Sequence, residues 1–360
     1  MVVRWIAALV AFLIAAVAGI AVAGGSLSDY EAALEAFPLI TAIAVVAALG
    51  AYAGVELLQT GGIASISQQF GTRTIVLMPI AIAINIILGQ TVAAALKIPI
   101  YLDSIGTILV GALAGPIAGA LTGMLSNLLW TYVLPPPFHS DFAAPFAITA
   151  VVIGLLAGFA GRMSVLRPRP NRPPSELVIA GVVAVLVTGG LAYWTYSQFY
   201  GETLTFFNPA PEGDPGLLLV VIGWVIAALL VAAVVGFLAL LFVRRDASVA
   251  YVVVAGAITG VVAAILSAPI AANLFGGVTG SGTDFLVAFF RQQGADVLGA
   301  SFQQGLISDP IDKITTFFVV YLILIAMARR TKARFPQGGR LLEDGSNGDG
   351  GEGEWRGATA

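Results

Sequence analysis

The sequence predicts an all-α fold, a polytopic transmembrane helical bundle of about ten helices. Hydrophobic residues make up 58% of the 360 residues, and charged residues only 10%. Apolar runs of about 20 residues, the length that an α-helix needs to cross a bilayer, recur along the whole chain. The breakers between these runs delimit ten candidate spans: 5–24, 38–57, 74–96, 104–114, 117–134, 143–161, 177–196, 216–243, 249–272 and 310–328.

The first six spans form two segments. Segment 1–72 holds two plain hydrophobic helices; the run 5–24 has the length of a signal peptide, but so many spans follow it that we expect it to be retained. Segment 73–161 holds four helices with very short connections. Within it, the run 104–114 is too short to cross alone, unless the membrane thins or the helix is buried in protein.

The second half of the chain begins with a hydrophilic break. An Arg/Pro-rich stretch, 162–174, predicts a stiff cytoplasmic linker, because prolines favour extended backbone. Two long apolar helices follow in 175–246, and the remaining membrane helices in 247–330. The segment 331–360 is rich in Gly, Asp and Glu towards its end, which predicts a disordered cytoplasmic tail.

Basic residues orient the predicted helices. With the N-terminus inside, 14 of the 17 Lys and Arg residues fall on the cytoplasmic side, as the positive-inside rule requires. This predicts a multi-pass protein of the cell membrane with both termini cytoplasmic. The remaining three basic residues, on the outer side, are Lys97, Arg291 and Lys313.

A stripe of small residues marks segment 73–161. Gly111, Gly115, Gly119 and Gly123 recur every fourth residue, and this spacing predicts a helix-packing seam in which two backbones approach closely. Pro116 follows Gly115 directly, a pair that stops one helix and starts the next. We therefore expect two short, tightly packed helices here.

These motifs resemble a known family. The stretch 97–107 contains Tyr-Leu-Asp-Ser-Ile-Gly-Thr, the stretch 109–127 carries the glycine stripe, and 154–162 reads Gly-Leu-Leu-Ala-Gly-Phe-Ala-Gly-Arg. Together with Ser-Asp-Pro-Ile-Asp-Lys-Ile-Thr-Thr-Phe-Phe at 308–318, they resemble the substrate-binding S component of energy-coupling-factor (ECF) transporters. The matching parts cover about half of the chain.

The resemblance implies a six-helix core that captures a vitamin or cofactor precursor from outside. It also implies partners, namely a shared ECF transmembrane subunit that carries two ATPase subunits. This chain has no Gly-Lys-Ser/Thr nucleotide-binding motif, so partners would hydrolyse any ATP. Four predicted helices, two at the N-terminus and two after the linker, exceed the six-helix pattern.

Several polar residues of segment 73–161 have alternative interpretations. Asp103 and Ser104 either cap the helix that follows or belong to a loop that closes over an outer cavity, and Lys97 could pair with Asp103. Asn85 and Gln90 either bind neighbouring helices or contact a solute. Asn127 and Trp130, with Tyr132, either belong to the membrane interface or line a pocket that stacks a heteroaromatic ring. His139 is the single histidine, and Asp141 is expected to cap the next helix.

The last segment is the most polar at membrane depth. Asp309 before Pro310 predicts an N-cap and a first helical residue, and Asp312 is a favourable acid for the first turn. Asp309 and Lys313 are four residues apart, so one helix face presents both charges. We predict a solute site over a purely structural role. Its candidate residues are Asp103, Asn127, Trp130, Gln303, Gln304, Asp309, Asp312 and Lys313.

The favoured function is solute capture for an ATP-driven importer; the alternative is a sensor or scaffold that binds a ligand without transporting it. Cysteine is absent, and we find no Ser/His/Asp arrangement or His/Cys cluster. We therefore predict neither catalytic residues, metal nor cofactor. The expected partners are a small water-soluble solute and the bilayer, with no nucleic acid. A self-sufficient secondary transporter would need charges at mid-depth, where the predicted spans have almost none.

Overall fold

The computed structural model describes residues 2–24, 36–95, 100–200, 231, 235–239, 241–243 and 245–343, and its regular elements within these ranges are all helical. The longer helices are α1 (Val2–Gly24), α2 (Phe37–Thr60), α3 (Thr72–Leu88, continued by a π-helical stretch Gly89–Ala95), α4 (Ile105–Ala114), α5 (Pro116–Tyr132), α6 (Ala147–Arg162), α7 (Pro174–Tyr200), α8 (Ser248–Phe275), α9 (Asp284–Gln292) and α10 (Val297–Ala326).

Six of these helices, α1, α2, α3 with its π-helical extension, α6, α7 and α8, are long and apolar enough to cross a membrane. They make the chain a multi-pass membrane protein, as the composition predicts. Each lies over one predicted span. The predicted span 216–243 falls mainly outside the described residues, so the number of crossings stays a prediction.

The hairpin of α4 and α5 is the centre of the bundle. Gly115 lies between the two helices with φ of +134°, a conformation that favours glycine. A Cβ at Gly119 would lie 2.6 Å from the Cα of Gly111, and one at Gly123 would lie 3.0 Å from Thr107. Position 119 thus lies beside position 111, and position 123 lies beside position 107, so α5 runs antiparallel to α4. All residues of α4 are buried, which explains how so short a helix is accommodated.

Helix α6 packs into the same hairpin. A Cβ at Gly111, Gly119 or Gly123 would lie within 3.0 Å of backbone oxygens of Gly154 or Ala150 on α6. The glycines of α6 reciprocate, since a side chain at Gly154, Gly158 or Gly161 would meet the backbone of the hairpin. The three helices therefore touch through their backbones, and the spacing Gly154-x-x-x-Gly158 is a sequence signal of this second half of the seam.

Helices α8 and α10 form a second close pair. A Cβ at Gly256 would lie 2.5 Å from the Cα of Ile314, and one at Gly260 would clash with Pro310. Helix α10 begins at Val297, where Asp296 accepts a hydrogen bond from the backbone N–H of Gly299 at 2.7 Å. The predicted start at 310 is therefore wrong, because Pro310 lies inside a 30-residue helix.

The tail prediction also needs correction. Residues Arg329–Lys332 and Gly338–Leu341 form short helical turns, and Leu341 is fully buried in the core around α4. The backbone N–H of Gln337 donates to the carbonyl of Leu113 at 2.8 Å. Disorder was expected from a tail that is polar on average, yet Phe335 and Leu341 give its first part an apolar anchor. Residues 344–360 lie outside the described residues.

Several of the described basic residues lie at one end of the bundle. Arg162 ends α6 and stacks on Trp5 near the start of α1. The linker 162–174 binds the start of α8, where Asp246 accepts hydrogen bonds from the backbone of Arg169 at 3.0 Å and of Ser248 at 2.9 Å. The linker is thus fixed to the cationic end by hydrogen bonds as well as stiffened by its prolines.

We predict that Gly119→Ala lowers stability by about 1–3 kcal/mol, because the new methyl group has no space between α4 and α6. The matched control is Gly54→Ala on α2, where a Cβ meets nothing within 4 Å and helix propensity should raise stability by about 0.5–1 kcal/mol. Thermal unfolding of both variants in detergent measures the difference. An unchanged Gly119→Ala protein would contradict the seam.

Candidate functional site

A cavity of about 140 Å³ lies beside the start of α4. Its wall includes parts of α3, α5, α6, α8 and α10, so it is built by the hairpin and the helices around it. Charged, polar and aromatic side chains meet there. They include Tyr101, Asp103, Ser104, Asn127, Trp130, Phe142, Phe146, Thr149, Ser267, Asp309 and Lys313.

The first turn of α4 lies inside the bundle, beside the middle of α3. The backbone N–H of Gly106 donates to Asn85 Oδ1 at 2.7 Å, and a Cβ at Gly106 would clash with the backbone of Ala81. Asn85 lies near the middle of the helical stretch that runs from Thr72 to Ala95. The loop before α4 therefore reaches the middle of the bundle, where the first N–H groups of a helix need partners.

Asn85 holds three helices together. Its side-chain nitrogen donates to Thr107 Oγ1 on α4 and to Ser126 Oγ on α5, both at 2.9 Å. Its oxygen is used by Gly106, and the side chain is buried. The interhelical interpretation of Asn85 is therefore confirmed. Gln90 likewise has a protein partner, the carbonyl of Pro137 at 2.8 Å.

Asp312 fixes the loop that leads into α4. It is fully buried, and its Oδ1 accepts hydrogen bonds from the backbone N–H groups of Tyr101 at 3.0 Å and Leu102 at 2.7 Å. Leu102 has φ of +53°, which is unusual for a side chain of this size. The Asp312 carboxylate thus stabilises a strained loop conformation from the middle of α10.

Lys313 connects α10 to the start of α4. Its Nζ lies 2.5 Å from Asp312 Oδ2 and donates to Ser104 Oγ at 2.9 Å, and Asp103 Oδ1 is 3.6 Å away. Ser104 occupies the N-cap position without a side-chain cap hydrogen bond. The capping interpretation of Asp103 and Ser104 is therefore corrected, because both side chains face the lysine. Lys97, the other proposed partner of Asp103, lies outside the described residues.

Asp309 lines the cavity from α10. Its carboxylate accepts a hydrogen bond from Ser267 Oγ on α8 at 3.2 Å, and the residue is 5% exposed. It was predicted to cap a helix beginning at 310. That role is excluded because α10 continues through this position, so Asp309, Asp312 and Lys313 lie in the middle of a helix. All three charged side chains are buried inside the bundle.

Trp130 and Asn127 line the cavity from α5. Trp130 packs against Gly89, where a Cβ would touch its ring and would lie 3.0 Å from Asp103 Cβ. Within the described part of the chain, the Trp130 indole nitrogen and the Thr149 hydroxyl are buried without a hydrogen-bond partner. Tyr132 is 75% exposed and lies outside the cavity wall.

The remaining predicted residues lie elsewhere. Gln303 and Gln304 are buried on α10 away from the cavity; Gln304 binds Ser308 at 2.5 Å, and the Gln303 amide has no described partner. His139 Nε2 is 2.9 Å from the exposed Asp141, so Asp141 pairs with histidine where a helix cap was expected. Among the described residues, no group of His, Cys, Asp or Glu could hold a metal ion.

The loop after α8 forms a part of the cavity wall that the sequence did not predict. Tyr101 exchanges a 2.8 Å hydrogen bond with Thr283, whose hydroxyl is 2.7 Å from that of Ser281. Phe142 and Phe146 both pack on Phe275 and close another side. The Gly- and Ser/Thr-rich sequence 276–283 was the available signal, since such turns often carry binding residues.

Comparisons with protein-family models, with curated protein sequences and with solved structures found no match to this chain. The interpretation of the site therefore depends on its own geometry.

We predict that Lys313→Met lowers stability by about 3–5 kcal/mol, because it leaves buried carboxylates without their cation. Glu176→Gln, in the half-exposed pair with Arg172 at 3.7 Å, is the control and should change stability by less than about 1 kcal/mol. Adding Asp312→Asn to Lys313→Met should recover part of the loss. Thermal unfolding measures all three, and equal melting temperatures for Lys313→Met and the parent would contradict the buried network.

Proposed function

We propose that this chain captures a small water-soluble solute as the substrate-binding subunit of an ECF-type ATP-driven importer. The observation that carries the proposal is the cavity beside the start of α4, whose lining includes an acid, an amide and an indole ring: Asp309, Asn127 and Trp130. Solute pockets are commonly concave and mainly apolar with a few convergent polar groups. The cavity has this composition, since aromatic rings surround the polar atoms.

The backbone around the cavity supports transport over a purely structural bundle. A helix that begins inside the membrane exposes polar backbone, which is tolerated where it lines a cavity or is buried in protein. Transporters often bind solutes at such interrupted helices. The start of α4 matches this pattern, since its N-cap residue Ser104 and Thr107 in its first turn both line the cavity.

The proposed direction of capture is from outside. On α6, Arg162 ends the helix at the cationic end, whereas Thr149 lines the cavity near its start. On α3, Arg73 lies in the first turn, whereas Gly89 lines the cavity after its last turn. If the cationic end is cytoplasmic, as the positive-inside rule expects, the cavity belongs to the outer half of the bundle.

The partners in this proposal come from the sequence resemblance alone. An ECF transmembrane subunit with two ATPase subunits would supply the energy, since the sequence of this chain has no Walker-type motif. A vitamin or cofactor precursor is the solute class that the resemblance implies.

A second candidate is ion-coupled transport by this chain without an ATPase. The specific observation that favours it is the group of Asp103, Asp309, Asp312 and Lys313 in the bundle interior, because intramembrane charges often mark ion pathways. Uptake into proteoliposomes that contain only this chain and an ion gradient would support this candidate. Uptake that requires added ATPase subunits and ATP would support the first.

We predict that Asp141→Cys reacts with a membrane-impermeant maleimide added to intact cells, whereas Asn171→Cys reacts only after permeabilisation. The parent has no cysteine, so each variant carries a single target and the parent is the blank. Both positions are exposed. Labelling of Asn171→Cys in intact cells would overturn the orientation and the proposed direction of capture.

We also predict that a small molecule co-purifies with the protein and is detectable by mass spectrometry after denaturation. Asn127→Ala and Trp130→Ala should reduce its occupancy about tenfold or more, because each removes part of the cavity wall. Asn171→Ala and Trp5→Phe, outside the wall, are the matched controls. Equal occupancy in all folded variants would locate solute binding elsewhere.

A further inference from the structure

We infer that the solute is a small organic cation that also carries a hydrogen-bond acceptor. This inference rests on the proposed function and assigns a chemical class to the solute of the same cavity. It follows from the charged side chains of the cavity wall and from two unpartnered polar atoms that belong to wall residues.

The carboxylates exceed the cations at the cavity. Among its described wall residues, the charged side chains are Asp103, Asp309 and Lys313. The lysine is already matched by Asp312, whose Oδ2 lies 2.5 Å from its Nζ. Asp103 is more distant from the same nitrogen, at 3.6 Å. One lysine therefore faces three carboxylates, and a cationic group would restore the balance.

Asp309 is the carboxylate with the weakest described compensation. Its described hydrogen-bond donor is a neutral hydroxyl, Ser267 Oγ at 3.2 Å, although the residue is 5% exposed. A buried carboxylate is stabilised by a paired and hydrogen-bonded cation. The cavity wall next to Asp309 is thus suited to an ammonium or another organic cation.

Two neutral groups indicate a second contact. Trp130 and Thr149 are 8% and 7% exposed and line the cavity, and the indole nitrogen and the hydroxyl have no described partner. An indole N–H can only donate, so its complement is an acceptor on the solute. Trp130 and Thr149 lie on α5 and α6, whereas Asp309 lies on α10.

An organic cation fits better than a metal ion. The described residues include no group of three or more acidic, His or Cys side chains arranged to hold a metal, and a cavity of about 140 Å³ is larger than a bare ion requires. Aromatic side chains, Tyr101, Trp130, Phe142 and Phe146, also belong to the wall. Faces of such rings attract organic cations.

The test compares three probes that share a phenyl ring and differ in charge: benzylammonium, benzyl alcohol and benzoate. Thermal unfolding of the full chain in detergent is measured with each probe. At ten times its Kd, benzylammonium should raise the melting temperature by about 2 °C, and benzoate should give no shift. Asp309→Asn keeps the acceptor for Ser267 but removes the charge, and should weaken benzylammonium binding about tenfold. The exposed control Asp141→Asn should bind like the parent.

A second variant tests the acceptor and does not depend on the folding of Asp309→Asn. 3-(Aminomethyl)pyridine, which adds a ring acceptor, should bind more tightly than benzylammonium to the parent. Trp130→Phe keeps an aromatic ring without the N–H and should remove that advantage. An unchanged preference in Trp130→Phe and in Thr149→Val would overturn the acceptor contact.

The outcomes separate this inference from the proposed function. Benzoate or benzyl alcohol binding as tightly as benzylammonium, or a co-purifying solute that is neutral or anionic, overturns the cationic class and leaves solute capture standing. A cationic co-purifying solute supports the inference. If no probe binds and no solute co-purifies, solute capture and the inference both fail.

Discussion

The buried pair of Asp312 and Lys313 is the interaction on which the interior of this bundle depends. Bringing two charges out of water is costly unless their hydrogen-bonding groups are satisfied. Here the aspartate holds the loop backbone at residues 101 and 102, and the lysine holds Ser104. The pair therefore stabilises a helix that begins inside the protein. The cavity owes its position to that beginning, because Ser104 and Thr107 form part of its wall.

Glycine packing also allows the short helix α4 to lie inside the bundle. Helix α4 is too short to reach across a bilayer, so its surface has to be covered by protein. Close approach of α5 and α6 through glycine provides this cover without large side chains. At the turn, Gln69 Oε1 accepts hydrogen bonds from the N–H groups of Ile117 at 2.9 Å and Ala118 at 3.3 Å. The backbone N–H groups at the turn therefore have a hydrogen-bond acceptor, and the apolar surface of α4 is covered by protein.

The sequence predicted most of the described helices and much of the cavity wall, each from a different physical signal. Apolar length predicts membrane helices, and the glycine spacing predicts two short helices that meet at Gly115. Five residues that the sequence predicts as solute-binding, from their position near apolar spans, line the cavity: Asp103, Asn127, Trp130, Asp309 and Lys313.

The errors arise where tertiary contacts override local signals. Pro310 is a good first helical residue in isolation, yet in the protein it continues α10, where Gly260 of α8 leaves room for it. Helix α9 was missed because its nine residues are too few for a span. The contact that places this loop beside the cavity could not be predicted from sequence, since Tyr101 lies 182 positions from its partner Thr283.

The distance in sequence between α4 and Lys313 has a consequence for biosynthesis. Ser104 and Lys313 are 209 residues apart, and at roughly 5–20 residues per second the ribosome needs on the order of 10–40 s to reach the lysine after making the serine. Throughout that interval the start of α4 lacks its native cation, and helices α5 to α9 are synthesised around it. Final assembly around the start of α4 therefore waits until α10 has been synthesised.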